Sequence, residues 1–389
     1  MSSLLQEARH SRGWSSVKMR RELARAASRL GIPIASDASL RVLISRWENN
    51  RAVPDPVNQL LLQEVFGLDA ESLGLSGERE RDRIDSTGLV GHAARHLAVP
   101  TPVVDYFERQ LKEHARFDNV AGPNFVLGTA ICQLQQIEQL TSTRPCGLAA
   151  LAAKYAEFTG WLHQDLGNDA VAVRLTCKAV DLAEMSGNSE LTTYSRMRKA
   201  NVLTAVGDLH LAASTAQRAL VDAAEAFPQL MPVCLRQRAL IAARLRDERG
   251  ALEAIERAAG LADDDAARKG AEDLASYCTT SYVQMEAAHC LLLLRRPSAA
   301  EQACTAALEG WPNALVRDRS LCLARRGIAL VELHEFDEAC HAALLALEGV
   351  RSAPSGRSLH AIRVIASRLR PLGRKPAVRE LTDALAEVA

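Results

Sequence analysis

Apolar and polar residues alternate at helical spacing along "SLRVLISRWENNRAVPDP", Ser39 to Pro56. Leu40, Leu43, Ile44 and Trp47 share one helical face, and the pattern stops at two asparagines before a proline-containing turn. The remaining positions carry Arg41, Val42, Ser45, Arg46 and Asn49. Two arginines and a bare valine on the outer face of so short a helix favour a surface that contacts a partner. The alternative is a charged face that meets only water.

The neighbouring sequence predicts a small helical head over residues 1–75. "LLQEARHSRGWSSVKMRRELARAASRLG" reads as two helices, the first ending at Gly13 and the second beginning at Ser15 or Ser16. Ser39 or Asp37 is predicted to cap the third helix. "VNQLLLQEVFG" predicts a fourth helix and "DAESLGL" a final turn, which makes five helical elements. Residues 76–102, rich in charge, glycine and proline, are predicted to form a linker.

The rest of the chain, 103–389, shows a repeat. Six alanine pairs are each seven residues apart: Ala172/Ala179, Ala212/Ala219, Ala251/Ala258, Ala300/Ala307, Ala339/Ala346 and Ala377/Ala384. Twelve residues before the first alanines stand Gly160, Ala200, Ala239, Ala288, Gly327 and Ile365. Small residues at fixed offsets let two helices of a hairpin pack closely, which is typical of a helical solenoid. We expect six units from about residue 147, irregular hairpins at 103–145 and extra length around "LADDDAARKGAEDLA".

Composition and charge fit this organisation. Only 4% of the 389 residues are aromatic and 48% are hydrophobic, which suits close-packed helices and predicts an all-α fold. The formal net charge is zero, but residues 1–60 hold ten Lys and Arg against five Asp and Glu. The remainder is therefore mildly acidic. A basic head on an acidic body favours a polyanionic partner for the head alone.

The residues that could take part in catalysis or metal binding are not arranged in a pattern that predicts a reaction. Nine cysteines are scattered without a CxxC motif or a Cys/His pairing at metal-ligand spacing, so we expect buried thiols in a reducing cytoplasm rather than disulfides or a zinc site. No HExxH, glycine-rich phosphate loop or GxSxG motif is present, and no apolar run reaches membrane-spanning length. We therefore expect a cytoplasmic protein that is not an enzyme and needs no metal or cofactor.

The head resembles the lambda-repressor-like helix-turn-helix family (Xre or Cro/CI type) through "EARHSRGWSS" and "ISRWENNRAVPDP". The resemblance implies that Arg41, Val42 and Arg46 face base edges in double-stranded DNA, and that Ser16, Asn49, Asn50 and Arg51 hold the phosphate backbone. Lys18 and Ser45 complete the candidate DNA-binding residues. It also implies a buried structural ion pair between Arg9 and Glu48. The chain departs from the family in having Asn50 at a usual glycine position and a longer segment, "RELARAASRLGIPIASDA", between helices two and three.

The body resembles the tetratricopeptide repeat through phrases such as "VGDLHLAASTAQRALVDAAE" and "HEFDEACHAALLALEGV". In that repeat, the first helix of each hairpin lines a groove. The resemblance implies the following groove residues: Lys154, Glu157, Trp161, Gln164, Tyr194, Met197, Asn201, Thr204, Arg236, Arg244, Tyr282 and His289. The mid-helix amide of Asn201 could hold an extended peptide or could bond a neighbouring helix, and both readings stay open. His289 is interpreted as a packed histidine in preference to a ligand contact.

Together, the two parts are similar to the RRNPP group of peptide-pheromone receptors, which act in quorum sensing, and in style to actinobacterial regulators. The resemblance implies a transcriptional regulator that forms a homodimer, binds DNA and senses a peptide or small molecule. The alternative is an interaction scaffold or anti-regulator that grips a partner protein, with a head that contributes little affinity for DNA.

Overall fold

The structure is a computed structural model, and the residues it describes are 3–30, 34–49, 51–52, 54–70, 72–75, 101–143, 148–262, 274–311 and 315–388. Throughout these ranges the regular elements are helices, which confirms the predicted all-α fold. The chain divides into two compact units. Residues 1–104 with 127–148 form the head unit, and residues 105–126 with 149–389 form the solenoid unit. Most of the predicted linker, residues 76–100, lies outside the described residues.

Four helices lie within residues 3–75, the part of the chain that the sequence predicts as the head. They are α1 (Leu4–Ser11), α2 (Ser16–Leu30), α3 (Asp37–Glu48) and α4 (Pro56–Phe66). Ser15 accepts the backbone N–H of Lys18 at the start of α2, and Gly13 adopts a left-handed φ of 62° in the turn before it. Ser36 caps α3, in place of the predicted Ser39 or Asp37. It accepts the Ser39 N–H, while the Asp37 carboxylate bonds Arg20.

The core of the head is an apolar cluster from all four helices and the turn that follows them. Leu40, Ile44 and Trp47 of α3 are buried, and Leu43 is half-buried. Met19, Leu23, Ala26, Ala27 and Leu30 of α2 and Leu61, Leu62 and Phe66 of α4 are also buried. In the turn after α4, the side chains of Leu73 and Leu75 are buried as well. Because Leu40, Ile44 and Trp47 are buried on one side of α3, the opposite face of this helix points outward.

The segment after residue 100 begins with two long helices, α5 (Thr101–Ala121) and α6 (Pro123–Thr143). Six helical hairpins follow: α7 (Ala149–Asp165) and α8 (Asp169–Met185), α9 (Ser189–Val206) and α10 (Leu209–Ala226), α11 (Met231–Arg244) and α12 (Glu248–Ala262), α13 (Thr280–Leu293) and α14 (Pro297–Glu309), α15 (Val316–Glu332) and α16 (Phe336–Ser352), and α17 (Gly356–Leu369) and α18 (Pro376–Ala386). The two helices of each hairpin pack together, and each first helix packs on the next first helix.

Small residues hold the hairpins together at the predicted offsets. The alanine pairs of α8, α10, α12, α14 and α16 are fully buried, while Ala377 and Ala384 of the terminal hairpin are half-buried. A Cβ at Gly160 would lie 3.4 Å from the Ala172 carbonyl oxygen, and one at Gly327 would lie 3.4 Å from that of Ala339. The same close approach thus recurs in two hairpins, because no side chain separates the helices there.

The longest repeat step lies between α12 and α13, where the chain inserts extra residues. Residues 263–273 of this insertion lie outside the described residues. Its described end packs inward: Leu274 contacts the cluster of Ala153, Ala183 and Leu191, and Cys278 is buried. The Tyr277 ring stands edge-on to Tyr282 of α13, with ring centroids 5.2 Å apart. The described end of the insertion therefore packs against the first helices α7, α9 and α13.

Candidate functional site

The outer face of α3 is the first candidate site. Arg41, Val42, Ser45 and Arg46 are exposed, and 56% of the Val42 surface is open to water. An apolar side chain held this open on a helix whose other face is buried offers methyl groups to a partner. Arginine guanidinium groups and a valine side chain are suited to guanine edges and thymine methyls in a major groove.

The arginines around this face are unusually free. Arg21 and Arg29 of α2, Arg41 and Arg46 of α3, and Arg51 after α3 are exposed, and among the described residues none of their side chains has an ion-pair or hydrogen-bond partner. Four other arginines of the head, Arg9, Arg12, Arg20 and Arg25, have hydrogen-bond partners. Arg12, for example, bonds the carbonyl oxygens of Val65 and Phe66 at the end of α4. The free positive charge of the head is therefore concentrated on α2, α3 and the turn after α3.

Arg9 and Glu48 form a buried ion pair between α1 and α3. The Arg9 Nε and Nη2 groups donate to the two Glu48 carboxylate oxygens at 2.5 and 3.0 Å, and Nη1 donates to the Trp14 carbonyl at 2.8 Å. This bidentate pair joins the two charges directly and fixes the end of α3 against α1. Arg9 is therefore structural, and its charge is not available to a partner.

The predicted phosphate contacts lie at the two ends of the α2–α3 motif. Ser16 is half-buried at the start of α2 and accepts from Arg20, and Lys18 is exposed with its ammonium 5.5 Å from the Trp14 ring centre. Asn49 is exposed but bonds the Ser45 carbonyl, and Arg51 is exposed after the helix. Asn50 lies outside the described residues. Lys18 and Arg51 are therefore open to an anion, whereas Ser16 and Asn49 already have partners.

The solenoid unit contains a second candidate site, a continuous layer of bonded polar side chains on its first helices. Arg198 donates to Glu157 at 2.5 Å and to Gln164 and Asn201 at 3.2 Å. Gln164 also donates to the Asn201 oxygen at 2.9 Å. Asn201 in turn donates to Gln237 at 2.9 Å, and Gln237 donates to Thr204 at 3.0 Å. We call these side chains, together with Arg236 of α11, Glu286 and His289 of α13 and Arg325 of α15, the polar layer.

A buried charge cluster continues the polar layer. Arg236, only 2% exposed, donates to Gln237 and lies 3.6 Å from Glu286, and Arg325 donates to the same carboxylate at 2.7 Å. Burial would raise the Glu286 pKa, but Arg325 and Arg236 lower it to about 2. Arg325 also contacts His289 Nδ1 at 3.1 Å. Because an arginine can only donate, that nitrogen is unprotonated, and burial together with Arg325 lowers the His289 pKa to about 3.

Two contacts connect the early helices of the solenoid unit to its late helices. Asp118 of α5 accepts from Arg317 of α15, 199 residues later, and Asp165 of α7 accepts from Arg357 of α17 at 3.0 Å and from Ser355 at 2.9 Å. Burial raises the Asp118 pKa, while Arg317 opposes the rise. We call these the closing contacts, because they bring sequence-distant hairpins together.

Trp161 of α7 lies where the polar layer meets the closing contacts. The guanidinium carbons of Arg357, Arg317 and Arg198 lie 4.4, 5.0 and 5.2 Å from its ring centre, and its indole N–H donates to Asp118 at 3.3 Å. The three guanidinium groups surround one indole ring in a cation–π arrangement.

The expected groove residues therefore divide into three groups. Glu157, Trp161, Gln164, Asn201, Thr204, Arg236 and His289 join the polar layer or its charge cluster. Met197 is fully buried beneath Arg236, and Tyr194 and Tyr282 are also buried. Lys154 pairs with Glu108 at 2.9 Å, and Arg244 is exposed at the end of α11, so neither joins the others. Of the two readings that the sequence left open for Asn201, this conformation shows the bond to neighbouring helices, because Gln164 and Gln237 take up its amide groups.

Sequence reasoning did not select the residues that organise the layer. Arg198, Gln237, Glu286 and Arg325 each stand two positions before the small residue of their repeat, so they occupy the same register in four consecutive hairpins. The recurrence of a polar residue at this one register is the sequence signal that identifies them. Asp118, Arg317 and Arg357 carry no such signal. Among the described residues, no cluster of His, Cys, Asp and Glu is arranged to hold a metal ion.

Comparison with known proteins supports the fold. The structure is similar to that of a Rap protein complexed with competence and sporulation factor, at a TM-score of 0.51 and 11% identity over 96% of this chain and 98% of that one. Weaker similarities are found to BtubC from P. vanneervenii (TM-score 0.42, 15% identity, 59% of this chain and 91% of that one) and to the P58(IPK) TPR domain (TM-score 0.23, 14% identity, 95% and 93%). No protein-family model and no curated protein matches the chain.

The Rap similarity establishes a tetratricopeptide-like α-solenoid. Solenoids of this kind stack helical hairpins so that each repeat contacts its neighbours. Within the described residues, no helix combines the length and the apolar character that crossing a membrane requires.

Proposed function

We propose that this protein is a sequence-specific DNA-binding transcriptional regulator. One observation carries the proposal: α3 buries one stripe in the head and turns Arg41, Val42, Ser45 and Arg46 outward, beside arginines that have no partner among the described residues. An exposed helix of this composition matches the geometry in which a recognition helix enters the major groove. The Arg9–Glu48 ion pair gives it a rigid support.

We further propose that the solenoid unit binds a peptide or small-molecule effector and mediates homodimerisation. The Rap protein of similar fold was crystallised with competence and sporulation factor. Many polar groups on the first helices bond one another in the present conformation, and an effector could exchange these bonds for its own. Two recognition helices in a dimer would meet half-sites about 34–36 Å apart, so an effector that changes their spacing would change DNA affinity.

The experiment is selection of duplexes from a random DNA pool by the full-length protein, with the Arg41→Ala/Arg46→Ala double variant as control. The proposal predicts enrichment of a common motif by the wild type and loss of that motif with the variant. A dimer predicts two related half-sites in the motif. Failure of the wild type to enrich any sequence, with the protein folded, would contradict the proposal and favour a scaffold that binds a partner protein.

A further inference from the structure

The second helix of the head carries a basic stripe of its own. Arg21, Arg25 and Arg29 recur every fourth residue along α2, so they lie on one face of the helix, and all three are exposed. Within the described ranges, Arg25 is the one of the three that has an ion-pair partner, Glu22, one turn away on the same helix. An exposed pair of this kind contributes little stability, so the stripe is not explained by packing of the head.

The stripe lies next to the recognition helix at the end where α3 begins. Arg20 of α2 donates to Asp37 at the start of α3 at 2.8 Å, which fixes the two helices side by side. The Asp37 pKa is lowered chiefly by this bond to Arg20, and also by the charges of Arg21 on α2 and Arg41 on α3. Arg21 and Arg41 therefore act on the same carboxylate from two helices. The stripe begins beside the residues proposed to read DNA.

The dimensions of the stripe fit the backbone of one DNA strand. A helix rises about 1.5 Å per residue, so roughly 12 Å separates the first from the third arginine along α2. Positive side chains arranged over this length beside a groove-reading helix are suited to successive phosphates, which carry charge but no sequence information. The long second helix of this head supplies the extra turns on which Arg25 and Arg29 stand.

We propose that Arg21, Arg25 and Arg29 form a phosphate-binding surface that holds the DNA backbone flanking the groove read by α3. This inference rests on the proposed DNA-binding function and adds a partner surface to it. The surface contributes affinity that depends on salt but not on base sequence, whereas Arg46 contributes sequence preference. The surface thus adds contacts along α2 to those predicted at the two ends of the α2–α3 motif.

The test is the salt dependence of duplex binding by the full-length protein. The probe is a labelled duplex of fixed mixed sequence and about 30 base pairs, roughly three helical turns, titrated at several salt concentrations between about 50 and 200 mM. The variant is Arg21→Ala/Arg25→Ala/Arg29→Ala. Each phosphate contact contributes about 0.9 to the slope of log affinity against log salt, so the triple variant should lose about 2–3 from that slope for each bound head.

Two further variants separate this surface from a general charge effect. Arg319→Ala/Arg363→Ala/Arg374→Ala removes the same charge from exposed positions of the solenoid unit and should leave the slope unchanged. Arg21→Lys/Arg25→Lys/Arg29→Lys keeps the charge on α2 and should retain most of the slope, and Arg21→Gln/Arg25→Gln/Arg29→Gln, which removes the charge, replaces the alanine variant if that protein fails to fold. Equal slopes for the wild type and the alanine variant, or equal losses in both alanine variants, would overturn the inference while leaving the proposed function intact. No duplex binding by the wild type would overturn both.

Discussion

Asn201 and Gln237 join the first helices of two successive hairpins through one hydrogen bond, from the Asn201 Nδ2–H to the Gln237 Oε1 at 2.9 Å. The Asn201 oxygen accepts from Gln164 of the preceding hairpin and from Arg198 of its own helix. One amide thus connects three hairpins. Its role in this conformation is to fix the register of the solenoid, and an effector that used it would have to replace these bonds.

Replacing Asn201 by alanine should therefore destabilise the solenoid in the absence of any effector. The change removes the acceptor of the Gln164 N–H group and one of the two donors to the Gln237 oxygen, at a cost of about 1–3 kcal/mol. Chemical unfolding of the wild type, the two single variants Asn201→Ala and Gln237→Ala, and the double variant measures the coupling between the pair. Wild-type stability in Asn201→Ala would show that the amide makes no necessary structural bond.

The helices of the head and the repeat of the body could be predicted from sequence, because each is a local pattern. Stripes of apolar residues at helical spacing and small residues at fixed offsets determine which faces pack, and Gly160 and Gly327 lie at the close approaches that their spacing predicts. The cap of α3 could not be assigned in this way. The Asp37 carboxylate is taken by Arg20 on another helix, which leaves the cap to Ser36.

The polar layer was predictable only in part. The sequence places polar residues on the first helices, but it does not determine whether they face an open groove or one another. In this structure they bond one another and meet the closing contacts at Trp161, and the closing pair Asp118 and Arg317 is 199 residues apart. No local pattern specifies a meeting over that separation, because it results from small rotations accumulated over several hairpins.

Arg9→Ala should destabilise the head by about 3–5 kcal/mol, because it leaves the Glu48 carboxylate buried without its partner. Hydrogen exchange of the amides in α1 and α3 reports this loss independently of the solenoid. Adding Glu48→Gln to Arg9→Ala removes the uncompensated charge and should restore part of the protection. Wild-type protection in the single variant would contradict a stabilising role for the ion pair.

Lowering the pH should destabilise the solenoid through His289. Its pKa is about 3 in the folded protein against an ordinary 6.5, so below pH 6.5 the unfolded chain binds a proton that the folded chain does not. Stability from this group is complete above pH 6.5 and falls as the pH drops toward 3, by about 1.4 kcal/mol per pH unit. His289→Gln should reduce the loss between pH 7 and pH 5 measured by urea unfolding. An exposed control, His360→Gln, should leave that loss unchanged. Equal losses in wild type and His289→Gln would refute the assignment.

Gly356→Ala should disturb the contact between the first and last hairpins of the solenoid unit. A Cβ at Gly356 would overlap the carbonyl oxygen of Asp165, and backbone cannot move aside as a flexible side chain can. We expect a loss of about 1–3 kcal/mol, as for other overpacked positions. Gly260→Ala is the matched control, because a Cβ there meets nothing within 4 Å and alanine favours the helix. Equal melting temperatures for the two variants would contradict the close contact.

The central claim, that α3 reads DNA sequence, is tested most directly by the affinity of Arg46→Ala for two duplexes. One carries the motif selected by the wild type, and the other carries the same bases in scrambled order. Because Arg46 is assigned to a base edge, the account predicts a loss of about 1–3 kcal/mol on the selected duplex and almost none on the scrambled one. An equal loss on both duplexes would make Arg46 a phosphate contact and would contradict the assignment of α3 as the recognition helix.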